Sequence, residues 1–364
     1  MKNANIFLGL FCFVGLTPIH IEAQILERNL IQWEQKKINI GTILEENGEV
    51  TAEFKGINPS GLPILITDVI TDCGCTTVEF TRDTLEKDSA SFIKVKFDPT
   101  HRGGVFSKLV IVRTNTDIYG DTLFLEGFNL PLPENNEMAY QNRMGNIGMR
   151  LPSVNMGIVF TNEPKVKYIE LFNFGRNPIR LDKEQLFLPE YLKAEQFPDS
   201  IPANSRGLLR LTYDGTIRND LGFFEDEINL SLMHGESPMA FKLTATLYEY
   251  FPPLPKSLEN TVAKLGISET DIDLRGINSN EEVSRLITLS NMGPELLEIR
   301  KISTNCECVK IELDKENLSP GEKAQLRFTF NPKGRKGIDH KHITIFSNDP
   351  LNPVRTIVVR SSIK

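Results

Sequence analysis

The sequence predicts an all-β protein made of three β-sandwich domains in tandem. Three observations support this: a strand pattern that occurs three times, a strict apolar/polar alternation within each copy, and the lack of a convincing amphipathic helix pattern. A chain of 364 residues is too long for one sandwich and suits two or three domains of about 100–150 residues each. Hydrophobic residues make up 40% and charged residues 24% of the chain, so we expect a folded, water-soluble product.

The first half of each copy contains a strand with a glycine and then a strand that ends in an Asn/Gly turn. The glycine-containing strands are 38–43, 154–159 and 272–277, with the glycines at Gly41, Gly157 and Gly276. The turns begin at Asn58, Asn173 and Asn291, and an apolar strand follows each of them at 64–66, 179–181 and 296–299. We expect Asn and Gly in these turns because a tight reversal needs residues that accept positive φ.

The second half of each copy contains an alternating strand, a turn and two closing strands. The alternating strands carry their apolar residues at Ile93, Val95 and Phe97, at Leu209, Leu211 and Tyr213, and at Leu326, Phe328 and Phe330. The closing strands are 109–113 and 122–126, 227–233 and 240–247, and 342–346 and 356–360. A period of two indicates a half-buried antiparallel strand. Roughly seven short strands per copy with frequent turns predict immunoglobulin-like sandwiches.

The domain boundaries are placed where proline and polar residues interrupt the pattern. The predicted domains are 33–130, 151–250 and 262–364, joined by linkers at 131–150 and 251–261. Proline stiffens and extends a connection, so we expect three separate domains with limited bending between them.

The first 23 residues have the features of a secretory signal peptide. Lys2 supplies the positive start, residues 6–16 form an apolar run, and Ala23 is a suitable small residue before a cleavage point at Gln24. The run is too short to span a bilayer comfortably. We therefore expect an exported protein of the periplasm or cell envelope, or an extracellular one, with no transmembrane segment after cleavage.

Charge and motifs narrow the classes of function. The net charge of −7 argues against a nucleic-acid partner, since phosphate binding needs an excess of Lys and Arg. Lys333, Arg335 and Lys336 form a local basic run, which we interpret as a solvated loop. The sequence contains no phosphate-binding loop, zinc-protease motif or nucleophile elbow, so we expect no catalytic site and no cofactor.

Four cysteines remain after signal cleavage, in two Cys-x-Cys pairs: Cys73 with Cys75, and Cys306 with Cys308. In a straight strand such residues are about 6.6 Å apart at Cα, at the upper edge of disulfide geometry. Gly74 should therefore ease a local disulfide and Glu307 should hinder one. Four roles remain open: a structural role as thiols or a local disulfide, a bridge to another chain, a soft-metal site, and redox exchange. No basic residue is predicted near them to favour a thiolate.

Two histidines could add to a metal site at the second pair. His340 and His342 flank Lys341 at strand spacing and would share a face with each other. They could complete a site with Cys306 and Cys308, or they could be two exposed residues on an edge strand.

The cysteine segment of the first copy, Thr71–Thr76, precedes Phe97-Asp98-Pro99 and a Gly-Gly loop in an order that resembles the bacterial family of domain of unknown function 1573. The third copy resembles it too, through 303–308, Ser319–Glu322 and Ser347–Pro350, the last being typical of Hydin-type domains related to major sperm protein. The middle copy departs from the pattern because it has no cysteine pair. The resemblance implies an immunoglobulin-like fold and export, and no biochemical role.

Two classes of function are consistent with these features. The first is a protein-binding or scaffold component of the bacterial cell envelope, whose partner is an unidentified envelope or surface protein. The alternative is a thiol-based protein that handles copper or zinc, or carries out redox chemistry, through Cys73, Cys75, Cys306 and Cys308.

Overall fold

The structure is a computed structural model that describes residues 30–233 and 238–364. Strands dominate the described residues, which confirms the predicted all-β fold. The expected signal peptide lies outside them. No helix among the described residues is long and apolar enough to cross a membrane. The chain divides into two compact units, the first ending at Leu132 and the second running from Pro133 to Lys364.

The first unit contains one sandwich of two four-stranded sheets. Its strands are β1 (Gln32–Trp33), β2 (Lys37–Leu44), β3 (Val50–Ile57), β4 (Ile66–Thr71), β5 (Thr76–Phe80), β6 (Ala90–Phe97), β7 (Gly104–Thr114) and β8 (Asp121–Leu130). One sheet has the order β1-β3-β6-β5 and the other β2-β8-β7-β4. A single-turn 3₁₀ helix, Glu45–Asn47, joins β2 to β3. The alternating residues predicted to face inward, Ile93, Val95 and Phe97, are fully buried between the sheets.

The second unit contains two sandwiches. The elements of the first sandwich, in chain order, are α1 (Asn136–Ala139), β9 (Asn142–Met144), β10 (Ile147–Met149), β11 (Ser153–Phe160), β12 (Lys165–Asn173), β13 (Leu192–Phe197), β14 (Ser205–Tyr213), α2 (Gly215–Arg218), β15 (Gly222–Leu230) and β16 (Met239–Tyr248). The two sheets are β13-β14-β12-β10-β9 and β11-β16-β15.

The other sandwich of this unit follows a 3₁₀ turn at Lys256–Leu258. Its strands are β17 (Leu265–Ile267), β18 (Asp271–Ile277), β19 (Val283–Asn291), β20 (Leu297–Thr304), β21 (Val309–Leu313), β22 (Asn317–Leu318), β23 (Lys323–Phe330), β24 (Gly337–Ser347) and β25 (Val354–Ile363). The sheets are β17-β19-β23-β21 and β18-β25-β24-β20-β22. Each of the three sandwiches has its own cluster of buried apolar residues.

The two sandwiches of the second unit contact each other directly, which the expectation of separate domains did not anticipate. Lys301 pairs with Asp220 at 2.7 Å, and Arg300 pairs with Glu249 at 3.2 Å. The rings of Tyr248 and Phe346 lie 6.1 Å apart. These contacts cross the Pro-rich connection, so proline there does not keep the two sandwiches apart.

The predicted linker 131–150 is corrected by the structure, because most of it belongs to a sandwich. Strand β10 pairs with β12, and Tyr140, Ile147 and Met149 are each at most 1% exposed. The sequence pattern hid this because β9 and β10 have only three residues each, too few to show a period of two.

Tyr140 is held by a buried cluster of charged side chains around Glu170. The Tyr140 hydroxyl donates to Glu170 Oε2 at 2.6 Å, and Arg150 and Arg206 donate to the same carboxylate at 2.6–2.9 Å. Burial acts to raise the pKa of Glu170, but the hydrogen bonds from Arg150 and Tyr140 outweigh burial and hold that pKa below its ordinary value. The cluster ties the start of the second unit to strands β12 and β14.

The glycine-containing strand of each sandwich has a bulge where it pairs in parallel with the last strand. The register shifts after Asn39, Asn155 and Asp273, and each of these side chains accepts the backbone N–H two residues later at 2.7–2.8 Å. That later residue has positive φ. It is Gly41 (74°) and Gly157 (70°) in two sandwiches but Arg275 (59°) in the other. The predicted alignment of Gly276 with these glycines is therefore wrong by one residue.

The sequence pattern predicts the positions of the turn asparagines correctly, but the physical reason for asparagine there is a different one. Asn58, Asn173 and Asn291 do not have positive φ; they are buried, and their side chains bond to backbone carbonyls. Close packing explains Gly293, since a Cβ there would collide with the carbonyl oxygen of Val262.

We expect Arg275→Gly to stabilise the protein by about 0.5–1 kcal/mol, because a side chain is disfavoured in the left-handed region and glycine is not. The matched control Gly157→Ala places a side chain in the same conformation and should destabilise by a similar amount. Urea unfolding of the full chain measures both. An unchanged or lower midpoint for Arg275→Gly would contradict the bulge assignment.

We expect Glu170→Gln to lower the free energy of unfolding by about 3 kcal/mol at neutral pH, because it removes the counter-charge of the buried Arg206 guanidinium. The folded-state pKa of Glu170 lies below the ordinary value of 4.5. Its contribution is therefore complete above pH 4.5 and is lost as the pH falls through the lowered pKa.

Urea unfolding of wild type and variant at a series of pH values checks this, and the gap between them should narrow in acid. Glu195→Gln is the control, since Glu195 pairs with Arg210 at the surface and its loss should cost less than about 1 kcal/mol. A gap that stays constant to low pH would contradict the assignment.

Candidate functional site

The two cysteine pairs occupy the same turn in the first and third sandwiches. The turn joins β4 to β5 and β20 to β21, and it closes with hydrogen bonds from Thr76 N–H to the Cys73 carbonyl (3.2 Å) and from Val309 N–H to the Cys306 carbonyl (3.1 Å). The turn brings each pair of Cα atoms to 5.2 and 5.1 Å, and each pair is disulfide-bonded. The separation in a straight strand therefore does not apply here.

Gly74 has no special role in its turn. Neither Gly74 nor Glu307 has positive φ, and the space around Gly74 is open. The expectation that Glu307 would hinder the bend is wrong, because both turns have an ordinary backbone with the same closing hydrogen bond. Glycine flexibility gives no reason to rank the two disulfides.

The surroundings of the two disulfides differ. In the first sandwich, the Thr76 hydroxyl lies 3.5 Å from Cys73 Sγ and 3.8 Å from Cys75 Sγ. In the third sandwich, Cys306 Sγ accepts hydrogen bonds from Arg335 Nη2 at 3.0 Å and from the backbone N–H of Cys308 at 3.2 Å. The sequence predicts a solvated loop at Arg335 and no cation near the cysteines. Arg335 does lie in a loop, with 38% of its side chain exposed, but its contact with Cys306 shows that the second expectation is wrong.

Charged neighbours hold Arg335 at this place. Its Nη1 lies 3.4 Å from Asp339 Oδ2, and the other carboxylate oxygen of Asp339 accepts from Lys341 Nζ at 2.5 Å. The Lys341 side chain is 8% exposed, so this ion pair is sheltered. Arg335 therefore reaches Cys306 from the loop that precedes β24, where the Asp339 carboxylate of that strand holds its guanidinium.

The two histidines lie on the other face of that strand. His340 and His342 are exposed and alternate with Asp339 and Lys341 along β24. Across the two described ranges, no three His, Cys, Asp or Glu side chains are grouped so as to hold a metal ion. The structure thus does not bring His340 and His342 together with Cys306 and Cys308.

A second candidate site is the edge of β15 in the middle sandwich. In the other two sandwiches a further strand covers the end of the corresponding strand: β4 pairs with β7 up to Thr114, and β20 pairs with β24 up to Ser347. The sequence pattern predicts such a strand at 179–181. The structure has only isolated bridges there, from Ile179 to Ile201 and from Leu181 to Leu232. Strand β15 pairs with β16 on one side and, in the described part of the chain, with no strand on the other.

The β15 edge is acidic. Glu225 and Glu227 are exposed, whereas Ile228 and Leu230 are buried. Asp226 accepts from the Tyr191 hydroxyl at 3.0 Å and from Arg218 at 2.6 Å. A cavity of about 310 Å³ lies beside the strand and is lined in part by Glu227, Ile228 and Lys242.

Arg218 fixes this corner of the sandwich through aromatic rings as well as through Asp226. Its guanidinium lies 3.8 Å from the centre of the Phe224 ring and 4.4 Å from that of Tyr191, and it donates to the Tyr213 hydroxyl at 2.6 Å. Burial raises the pKa of Tyr213 to about 12 although Arg218 opposes the shift. These contacts hold the inner side of the edge, and the outer side presents the two glutamates, of which Glu225 accepts from Lys242 Nζ at 2.6 Å.

Comparison with solved structures gives several distant likenesses. A protein of unknown function from Porphyromonas gingivalis W83 is 17% identical, over 60% of this chain and 100% of that one, with a TM-score of 0.44. The ASH/PapD-like domain of human CEP192 is 13% identical, over 32% and 92%, with a TM-score of 0.23. The structure of Dpr2 Ig1-Ig2 in complex with DIP-Theta Ig1-Ig3 is 12% identical, over 92% and 100%, with a TM-score of 0.19. No conclusion follows from likenesses this weak, and no curated protein matches the chain.

The family comparison is more specific. The model described as "Protein of unknown function (DUF1573)" matches residues 31–129 and 265–361, which together make up more than half of the chain. The matched regions are the first and third sandwiches, each with its Cys-x-Cys turn, and the cysteine-free middle sandwich lies between them. The chain belongs to the DUF1573 family.

Proposed function

We propose that this protein is an exported, non-catalytic component of the bacterial cell envelope that binds another protein by strand addition at the edge of β15. The occupant of that edge is an extended, basic segment of the partner. The observation that carries the proposal is that β15 has nine residues and a strand partner on one side only among the described residues.

The length and exposure of the edge fit strand addition. An unpaired edge presents N–H and C=O groups that a partner strand can bond. The six residues from Glu225 to Leu230 span about 20 Å, which is the length of an ordinary strand. In the described residues, the chain before β13 bonds to Ser231 and Met233, beyond the end of β15, through Asp182 N–H and the Arg180 carbonyl.

The charges of the edge favour a basic partner over a second copy of this chain. Glu225 and Glu227 project to one side of the strand, with Asp226 between them. If two β15 edges paired with each other in antiparallel fashion about Asp226, the carboxylates of one copy would lie opposite those of the other. Like charges directly opposite each other in a sheet are destabilising. A strand with Lys or Arg at alternate positions would instead place positive charges beside them, and such complementarity sets the choice of partner.

The metal-handling alternative is weaker in the oxidised form that the structure presents. All four cysteines within the described residues are in disulfides, and the ligand for copper or zinc is the free thiolate. The two proposals are separated by metal analysis of purified protein, since near-stoichiometric copper or zinc would favour the alternative.

The proposal of export is based on three features of the first 23 residues. These are the positive charge of Lys2, the apolar run 6–16 and the small residue Ala23 before the expected cleavage point. We expect the protein recovered from its native cells to begin at Gln24. N-terminal sequencing checks this, and an intact Met1 in envelope fractions would contradict the proposed cleavage.

Peptide binding tests the β15 site directly. We expect a peptide of about eight residues that alternates Lys and Val to bind the full chain and to slow amide hydrogen exchange in Glu225–Leu230. The same peptide with Glu in place of Lys should bind at least about tenfold more weakly. High salt should weaken the basic peptide's binding, because the attraction involves exposed charges.

Charge reversal supplies the control. Glu225→Lys/Glu227→Lys should abolish the preference for the basic peptide. Glu312→Lys, on the edge strand β21 of another sheet, should leave it unchanged, although the Glu312 side chain is more exposed, at 79% against 46% for Glu225. Equal binding of the acidic and basic peptides, or protection that appears elsewhere in the chain, would rule out the β15 site.

A further inference from the structure

Cys306 differs from the other three cysteines that the structure describes because its sulfur accepts from two hydrogen-bond donors. One is the guanidinium of Arg335 at 3.0 Å and the other is the backbone N–H of Cys308 at 3.2 Å. Both donors favour a negative charge on that sulfur, and the bond from Arg335 is charge-assisted. A disulfide needs no such donors, but a thiolate released from it does.

The two sulfurs of this pair also differ in position. Cys308 packs against the apolar core of its sandwich, a cluster that includes Val309 and Phe330, and Cys306 is not among the residues packed against it. Both residues are partly exposed. Cys306 is therefore the outer sulfur, and it is the one that an approaching thiol would meet first.

We propose that the Cys306–Cys308 pair is a thiol–disulfide exchange site that accepts two electrons from a dithiol of another protein, with Arg335 holding the thiolate of Cys306. This goes beyond strand addition at β15 and does not depend on it. The co-reactant is a protein with two neighbouring thiols, which leaves with a disulfide.

The exchange has two steps. A partner thiolate attacks Cys306 Sγ, the Cys306–Cys308 bond breaks, and Cys308 leaves with the electron pair and takes a proton from water. The second partner thiolate then attacks the partner's own sulfur in the mixed disulfide. The bond to Cys306 breaks, and Cys306 leaves as a thiolate that Arg335 and the Cys308 N–H stabilise. A leaving thiol departs faster when its thiolate is more stable.

The first sandwich provides a comparison within the same molecule. Cys73 and Cys75 form the same turn, but their polar neighbour is the neutral hydroxyl of Thr76. The residue that corresponds to Arg335 is Arg102, because each donates its backbone N–H to the carbonyl of the proline three residues earlier, Pro332 or Pro99. The Arg102 side chain instead donates to the carbonyl of Thr100 at 2.6 Å.

Redox equilibration of the full chain tests the proposal. After incubation in glutathione buffers of graded ratio, alkylation and mass spectrometry report the reduced fraction of each pair in the same sample. We expect the equilibrium constant for reduction of Cys306–Cys308 to exceed that of Cys73–Cys75 by about tenfold or more. Equal constants, or a more easily reduced Cys73–Cys75 pair, would overturn the proposal.

Variants at Arg335 test the role of the cation. In the reduced protein, Arg335→Gln should slow alkylation of Cys306 in mildly acidic buffer by about tenfold, because the reactive species is the thiolate. Arg335→Lys should recover part of the rate, and Arg102→Gln should leave it unchanged. Circular dichroism confirms that each variant is folded. An unchanged rate in Arg335→Gln would refute the role of Arg335.

A trapping variant tests the order of attack. Cys308→Ser leaves Cys306 without its resolving thiol, so it should retain a mixed disulfide at Cys306 when it is mixed with an aromatic disulfide reagent. Cys306→Ser should react more slowly at Cys308. Faster labelling of Cys308 would show that the outer sulfur is not the reactive one and would overturn the proposed sequence of steps.

Discussion

A buried side-chain amide at the end of one strand holds each sandwich together. Asn58, Asn173 and Asn291 are at most 2% exposed, and each donates from Nδ2 to the carbonyl four residues later and to a carbonyl in the segment that leads to the alternating strand. The Oδ1 atom accepts a backbone N–H of the turn. One side chain thus satisfies several buried backbone groups, each of which would cost about 1–3 kcal/mol if it were left unpaired. It fixes both the turn after its own strand and the segment that leads to the alternating strand.

The middle sandwich keeps this amide but differs in the segment that comes after the turn. Asn173 bonds to the carbonyls of Asn177, Ile201 and Pro202, so the turn and the crossing segment are fixed as in the other sandwiches. The next stretch then bonds beyond the end of β15 and does not pair along it. The hydrogen bonds of the Asn173 amide, which fix the fold of the sandwich, therefore do not extend to the edge of β15. Strand pairing at the edge of β15 can therefore differ from that in the other sandwiches while the core stays the same. The proposed binding site thus lowers the stability of the sandwich little.

Elements with a regular apolar/polar period were predicted from the sequence. Features that depend on contacts between distant residues were not. The three alternating strands and the positions of the turn asparagines were correct, because burial of one face imposes a period of two. The positive φ assigned to those asparagines was wrong, since the amide acts through its hydrogen bonds. Strands of three residues, such as β9 and β10, have no period to find. The role of Arg335 could not be predicted either, because it depends on how a loop returns to a turn about 30 residues earlier in the sequence.

The two disulfides show how one fold can carry two different chemical environments. Arg102 and Arg335 occupy the same position after the same proline turn, so the presence of an arginine does not decide the environment of the sulfur. The residue four positions later differs: it is Asp339 in the third sandwich and Phe106 in the first. Asp339 offers Arg335 a carboxylate on the strand beside the cysteine turn, whereas Phe106 is buried with its ring 4.5 Å from that of Phe97. An apolar ring gives Arg102 no acceptor there, so its guanidinium bonds to its own loop. A strand residue that never touches the sulfur thereby determines whether a cation reaches it.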